Sequence, residues 1–474
     1  MRNLKGKIPR YAWNDDYNSM SLKRRTNFQK VSINKGVVFR GCFLLGFFLV
    51  YFGYLTWLNS PFLSSQLYVL IGLGILFLIK FRDKELESCL PFAGKEPFLL
   101  TILLALAISA FLTKYAALGG FNEDQVYWAG WSDQAHYIRM AQAIYSFTLK
   151  AEDYYYGLGY PILASIFVGV YPKDPFLIPN LACYLATLWL TYLIAKRFLP
   201  GVFPFVAIIL LMYATPLTEY FVVPWSTTIS TVSFLAIMYI ALRNNPISFL
   251  DSILSGLSLG LTFAARYVDV VFLLPLALYP ILKMDFRSIG KGKTLSQIAK
   301  ASLGLLLFFV IVVGVLASHY YYFGSIFKTP YHLHGRPGTN LSDQHIEVYQ
   351  PKVIMDHLFG QFINPNTFHA REMETIPKRL RTPLLERSFY LILAPIGIAY
   401  LMLRGGFLLL FPCLIGGILA LMIYGMHPGT APGCLQFHSL HYFKMWYPFL
   451  TIMSLVGLVQ IGNYADSIGK EKGT

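Results

Sequence analysis

Charge is scarce in this chain. Only 13% of its 474 residues are Asp, Glu, Lys or Arg, and acids are the scarcer sign, 24 against 39 basic residues. A water-soluble domain of this size could not cover its surface with so few charges. Cysteine is scarce too, with five residues. Cys42, Cys183 and Cys413 fall in apolar stretches, Cys89 falls on the predicted inner side, and only Cys434 lies outside. One exposed thiol builds no disulfide framework, and the spacings lack any zinc pattern. No repeat of fixed period and no low-complexity tract is present, which speaks against an inverted-repeat transporter. No small-residue cleavage site follows the first apolar run, so that run is expected to be an uncleaved anchor rather than a signal peptide.

What the chain has in abundance is apolar sequence. Hydrophobic residues make up 55% and aromatics 16%, and the mean hydropathy is +0.52. Crossing a bilayer takes about 20 mostly apolar residues. Twelve candidate spans follow, at 37–58, 61–81, 97–118, 176–195, 200–216, 222–242, 248–265, 267–283, 299–318, 388–403, 405–425 and 441–461. The expected fold is all-α, a polytopic transmembrane helix bundle. The expected parts are a basic inner segment 1–36, an added two-span hairpin 37–96, a core 97–461 and an inner tail 462–474.

A net charge of +15 would suit nucleic acid, but its placement points elsewhere. With the N-terminus inside, the inner loops collect Lys80, Arg82 and Lys84; Lys196 and Arg197; Arg243; Lys283, Arg287, Lys291, Lys293 and Lys300; Arg404; and Lys470. That is the positive-inside pattern, and no nucleic-acid partner is expected. Residues 157–171 would make a thirteenth span, but counting them would invert every later loop. They are also short for a crossing, so they are expected to lie at or dip into the outer interface. Both ends are then cytoplasmic. The longer outer segments are 119–175, 319–387 and 427–440, and all ten histidines lie in or beside them. Function concentrates in such segments.

Within the first outer segment, Ser132 is a plausible N-cap for a helix running to about Phe147. Asp133 then sits in the first turn, where the helix dipole favours a carboxylate. It shares a face with Tyr137, Met140, Ala141 and Ile144, while Arg139, Gln142, Ala143 and Ser146 form the other face. A carboxylate on an apolar face needs a partner or a task. Electrostatic capping alone is the alternative. Glu123, Asp124, Glu152 and Asp153 suit solvated loop positions. The Glu-Asp pair could hold a divalent cation, but nothing completes a coordination set, so no metal or other cofactor is expected.

This arrangement resembles the GT-C superfamily, multispanning glycosyltransferases that use polyprenyl-phosphate-linked sugars. Protein O-mannosyltransferases and bacterial lipid A aminoarabinose transferases are two of its branches. The resemblance rests on Asp133 at the start of a short helix after a span, then Gly159-Tyr160-Pro161 opening a second interfacial helix, then a span ending in Lys196-Arg197. Ala214-Thr215-Pro216 with Glu219-Tyr220 and Ala265-Arg266-Tyr267 are similar in order. So are His319 to Ser325 with Thr329-Pro330-Tyr331, and His438 to Pro448. Coverage is roughly 97–461, and the first two spans precede it.

The resemblance implies hexosyl or pentosyl transfer from a polyprenyl-phosphate donor to a lipid, glycan or protein hydroxyl, with inversion and with Asp133 as base. Membrane lipids are the surroundings. The departing phosphate needs cations. Arg266, at the outer junction of two spans, is the first candidate, although Asp269 three residues on can pair with it along the helix. Arg336 is the second. His438, His441 and Lys444 would face the cavity from the last span, or anchor at the interface with Tyr442 and Trp446. His136, Tyr137, Tyr331, His332 and His334 are candidates for orienting substrate. Glu219 is another, or it lies in a solvated turn. A secondary transporter is the main rival, and an O-antigen ligase or polymerase the next. The transporter would place charges at mid-membrane, whereas these sit at span ends. The C-terminal GKEKGT carries no retrieval or lipid-anchor signal, which tilts the expected location to a bacterial cytoplasmic membrane with an exoplasmic site.

Overall fold

The computed structural model describes residues 96–121, 126–130, 132–213, 215, 217–243, 247–282, 292–330, 389–403 and 444–471. The expected segment 1–36, the segment 37–96 apart from its last residue, and residues 331–388 and 404–443, which include the apolar stretch 405–425, lie outside them. Among the described residues all regular structure is helical. The helices are α1 (Glu96–Ala117), α2 (Ser132–Tyr145), α3 (Gly159–Ser165), α4 (Leu177–Phe198), α5 (Phe203–Tyr213) and α6 (Leu217–Val222). They continue as α7 (Thr227–Leu242), α8 (Phe249–Ala265), α9 (Asp269–Leu282), α10 (Gly292–Phe323), α11 (Ala394–Leu401) and α12 (Trp446–Glu471). Three of them contain stretches long and apolar enough to cross a membrane: Leu99–Ala117, Leu177–Phe198 and Ser296–Phe323.

Helix ends differ from apolar ends in several places. α10 has 32 residues, roughly 48 Å at 1.5 Å per residue, against a hydrocarbon core of about 30 Å. It therefore includes His319–Phe323, which the apolar pattern left in a loop. α12 likewise continues to Glu471, through residues expected to form a tail. Hydropathy marks depth, whereas a helix stops only at a breaker or a cap. The stretch 200–216 shows the reverse. Thr215 Oγ1 bonds back to Leu211 O at 2.7 Å and accepts from Leu217 N at 3.2 Å. This closes α5 and opens α6. The stretch 157–171 contains only the seven-residue α3, too short to cross.

α7 forms the centre. Twelve of its sixteen residues are buried, and α4, α8 and α9 pack around it. A helix with no charged face belongs in a core. α10 instead exposes Leu306, Phe309, Val310 and Val313, a surface suited to lipid. α8 meets α10 through Ser252, Gly256 and Gly260, one small residue per turn. A Cβ on Gly256 would overlap Gly304 O, and one on Gly260 would overlap Ile311. Small residues let helix backbones approach closely where apolar surface alone gives little drive. α11 and α12 use Gly397 and Gly457 the same way.

Basic residues at helix ends also have specific partners. Arg197 Nη1 donates to Leu242 O at 3.2 Å, covering the C-terminus of α7. Ser248 and Asp251 form a capping box on α8, and Arg243 Nη1 lies 2.6 Å from Asp251 Oδ1.

Candidate functional site

α2 starts at Ser132 itself, with Asp133 in its first turn. It ends at Tyr145 because Phe147 adopts φ 56° and Thr148 N turns back to Ala143 O at 2.8 Å. Its buried face carries Gln134, Tyr137, Ile138, Met140 and Ala141. Asp133 is half-buried at the margin of that face. Two contacts seat α2 on the buried segment before α7. Gln134 Nε2 donates to Pro224 O at 3.1 Å, and Tyr137 Oη shares a hydrogen bond with Ser226 Oγ at 3.0 Å.

The run Tyr154-Tyr155-Tyr156 braces three directions. Tyr154 Oη reaches Ser318 Oγ of α10 at 3.2 Å. Tyr155 stacks on His136, with ring centroids 3.4 Å apart. Tyr156 Oη donates to Asp133 Oδ1 at 2.5 Å. The next residues explain how this run is held. A Cβ on Gly157 would overlap Ala264 O, and one on Gly159 would lie 2.8 Å from Ala264 Cβ. Glycine at both positions lets the chain lie directly on the end of α8, one residue from Arg266.

Arg266 closes α8 with an extended backbone, and Asp269 opens α9. The pair thus bridges a helix break and does not run along one helix, as the spacing suggested. Nε lies 3.0 Å from Asp269 Oδ2, which also accepts from Ser230 Oγ at 2.5 Å. Arg266 Nη1 donates to Ser226 Oγ at 3.2 Å, the oxygen that Tyr137 uses. Tyr137 in turn packs on Tyr156 at 4.6 Å between ring centroids. Asp133 and Arg266 are therefore joined through Tyr156, Tyr137 and Ser226.

Lys444 stands behind this wall, fully buried. Its Nζ donates to Tyr220 O at 3.0 Å and Thr228 Oγ1 at 2.6 Å, and it lies 4.7 Å from the centroid of Phe221. Arg266 and Asp269 lie within its electrostatic range. Full enclosure does not fit the interfacial-anchor alternative for Lys444, and it also keeps the side chain from lining an open cavity in this conformation. The other expected site residues Arg336, His438, His441, Tyr331, His332 and His334 lie outside the described residues.

His136 is half-buried, and its Nδ1 lies 3.1 Å from Arg139 Nη2. Glu219 is not in a solvated turn. It is 6% exposed, and Lys114 Nζ lies 2.8 Å from its Oε1. Lys114, in the last turn of α1, was not a candidate on sequence. Removing one partner of a buried pair strands the other, at a cost of about 3–5 kcal/mol. Lys114→Ala should therefore lower the unfolding temperature strongly, while Lys114→Met with Glu219→Leu should recover most of the loss. Equal stability of Lys114→Ala and wild type in a thermal melt would show the pair to be dispensable.

Glu152 fits the solvated reading, exposed and 3.7 Å from Lys150. Glu123 and Asp124 lie outside the described residues. Among the described residues no three His, Cys, Asp or Glu side chains gather as a metal set. Sequence inspection missed Tyr156 and Ser226. A tyrosine run ahead of two glycines was the available signal for the first; nothing local marks the second. No protein-family model matches the chain, and no curated protein or solved structure matches it.

Proposed function

We propose that this chain is a membrane glycosyltransferase of the GT-C type. It moves a hexosyl or pentosyl group from a polyprenyl-phosphate donor to an acceptor hydroxyl, with inversion. The reading includes twelve spans, both ends inside, and an exoplasmic site on a bacterial cytoplasmic membrane. One observation carries it: a half-buried carboxylate, oriented by a tyrosine hydroxyl, is linked through the Tyr137 ring and Ser226 to Arg266 and its partner Asp269.

In this scheme Asp133 takes the proton of the acceptor hydroxyl as its oxygen bonds the anomeric carbon. The bond from that carbon to the phosphate oxygen breaks, and the polyprenyl phosphate leaves with the electron pair. A carboxylate is a weak base, so it acts late, once the hydroxyl has become acidic against an oxocarbenium-like centre. Arg266 faces the leaving phosphate, and Lys444 lies within its electrostatic range. Tyr137, packed on Tyr156, and half-buried His136 follow Asp133 by one turn of α2.

The test is selective binding. A polyprenyl phosphate should raise the unfolding temperature of the full chain in nanodiscs in a saturable way, by the equivalent of about 2.7 kcal/mol at one hundred times Kd. The matching polyprenol, without phosphate, should not. Equal effects of the two lipids would remove the phosphate-donor assignment.

A further inference from the structure

A second buried carboxylate lies in the same connecting segment, and the proposed chemistry does not use it. Asp174 sits in the turn between α3 and α4 and is 0% exposed. Its Oδ1 accepts from Phe176 N at 3.1 Å. Its Oδ2 makes no hydrogen bond of ordinary geometry among the described residues, and nor do the buried Tyr115 Oη and Trp128 Nε1, although the Tyr115 hydroxyl is near enough to favour the charged carboxylate. The Tyr115 and Trp128 rings meet edge to face, 5.2 Å apart. Tyr171 Oη, from the same turn, donates to Gly120 O at 3.3 Å. Asp174 thus stands where α1, the 127–130 turn, α3 and α4 converge.

The titratable groups facing it are hydroxyls: Tyr115 from α1, with Tyr171 beside it, and Tyr160 from α3. From α4 comes Cys183, which faces Tyr160. Among the described residues no cation is seen to act on the carboxyl. A buried carboxylate without a cation is costly, whereas the neutral acid is tolerated.

We propose that Asp174 is a proton-binding latch: as the neutral acid it lets this segment close on α1 and α4, and as the carboxylate it loosens that closure. Burial pushes the carboxyl up to about 7, against the pull of the Phe176 amide and the Tyr115 hydroxyl. The latch reaches the candidate site through Phe176. That ring packs on Tyr160 at 4.5 Å and Tyr137 at 6.2 Å between centroids, and Tyr137 packs on Tyr156, which holds Asp133. The latch does not depend on glycosyl transfer, since its readout is conformational.

The sign follows from linkage. A carboxyl raised on closing holds its proton in the closed state and has lost it in the open state at pH values between the two midpoints. The open midpoint is the ordinary value of about 4. Closure is therefore strongest below about 4, weakens by up to tenfold per pH unit toward about 7, and is flat above. Hydrogen exchange of the full chain in nanodiscs from pH 5 to 8, corrected for intrinsic rates, tests this in peptides covering residues 115–130 and 170–180. Wild-type protection should fall as pH rises, and Asp174→Asn protection should not change. A flat wild-type profile, or the same slope in both proteins, overturns the latch. Should Asp174→Asn not fold, Tyr115→Phe carries the test. Losing the hydroxyl should move the midpoint to higher pH, and an unmoved midpoint overturns the latch as well.

Discussion

Asp133→Asn is expected to leave the bundle folded and to lower sugar transfer by about two to four orders of magnitude, the range for removing a positioned base. The substitution keeps the shape of the side chain. Its amide oxygen still accepts from Tyr156 Oη, the partner at 2.5 Å in the wild type. The half-buried position also tolerates an amide without stranding a buried charge. What is lost is basicity, so the loss should fall on turnover and leave donor binding nearly unchanged. The measurement is transfer of labelled sugar from a polyprenyl-phosphate donor, alongside a thermal melt. Wild-type turnover by the variant would remove Asp133 from the proposed chemistry. Loss of turnover with a collapsed melt would instead mark Asp133 as a structural cap.

Arg266→Ala is expected to weaken donor binding and turnover by about two to three orders of magnitude, as for the loss of one transition-state donor. The single change has a second effect, because Asp269 is 0% exposed and would lose the cation 3.0 Å away. A fall in stability and a fall in binding would then be confounded. The double variant Arg266→Ala with Asp269→Asn separates them. Neutralising both charges should restore most of the stability, since a missing pair costs far less than a stranded ion. Donor affinity should stay low and acceptor affinity should change little. Recovery of donor binding in the double variant would show Arg266 to be a structural partner of Asp269.

Much of the helical layout was legible because apolar run length and end charges are local properties. The apolar stretches at 97–118, 176–195 and 248–265 correspond to α1, α4 and α8 within a few residues. The buried face of α2 followed from 3.6-residue spacing, and Tyr137, Met140 and Ala141 lie on it. Helix ends were less legible, as α10 and α12 show, because a helix persists past the membrane-deep part of its sequence. The small-residue seam Ser252-Gly256-Gly260 was visible in spacing, but only its contact with Gly304 and Ile311 makes it a seam.

The candidate site divides in the same way. Composition and spacing alone pointed to apolar helices suited to a membrane, a carboxylate at a helix start and an arginine at the junction of two apolar stretches. Those features depend on neighbours a few residues apart. Which groups answer them depended on tertiary structure. Ser226 joins Tyr137 to Arg266 across 40 residues of chain, Lys114 holds Glu219 across 105, and Lys444 reaches Tyr220 across 224. A buried charge must find compensation somewhere, and sequence shows the need for it; only the packing of distant helices selects the partner.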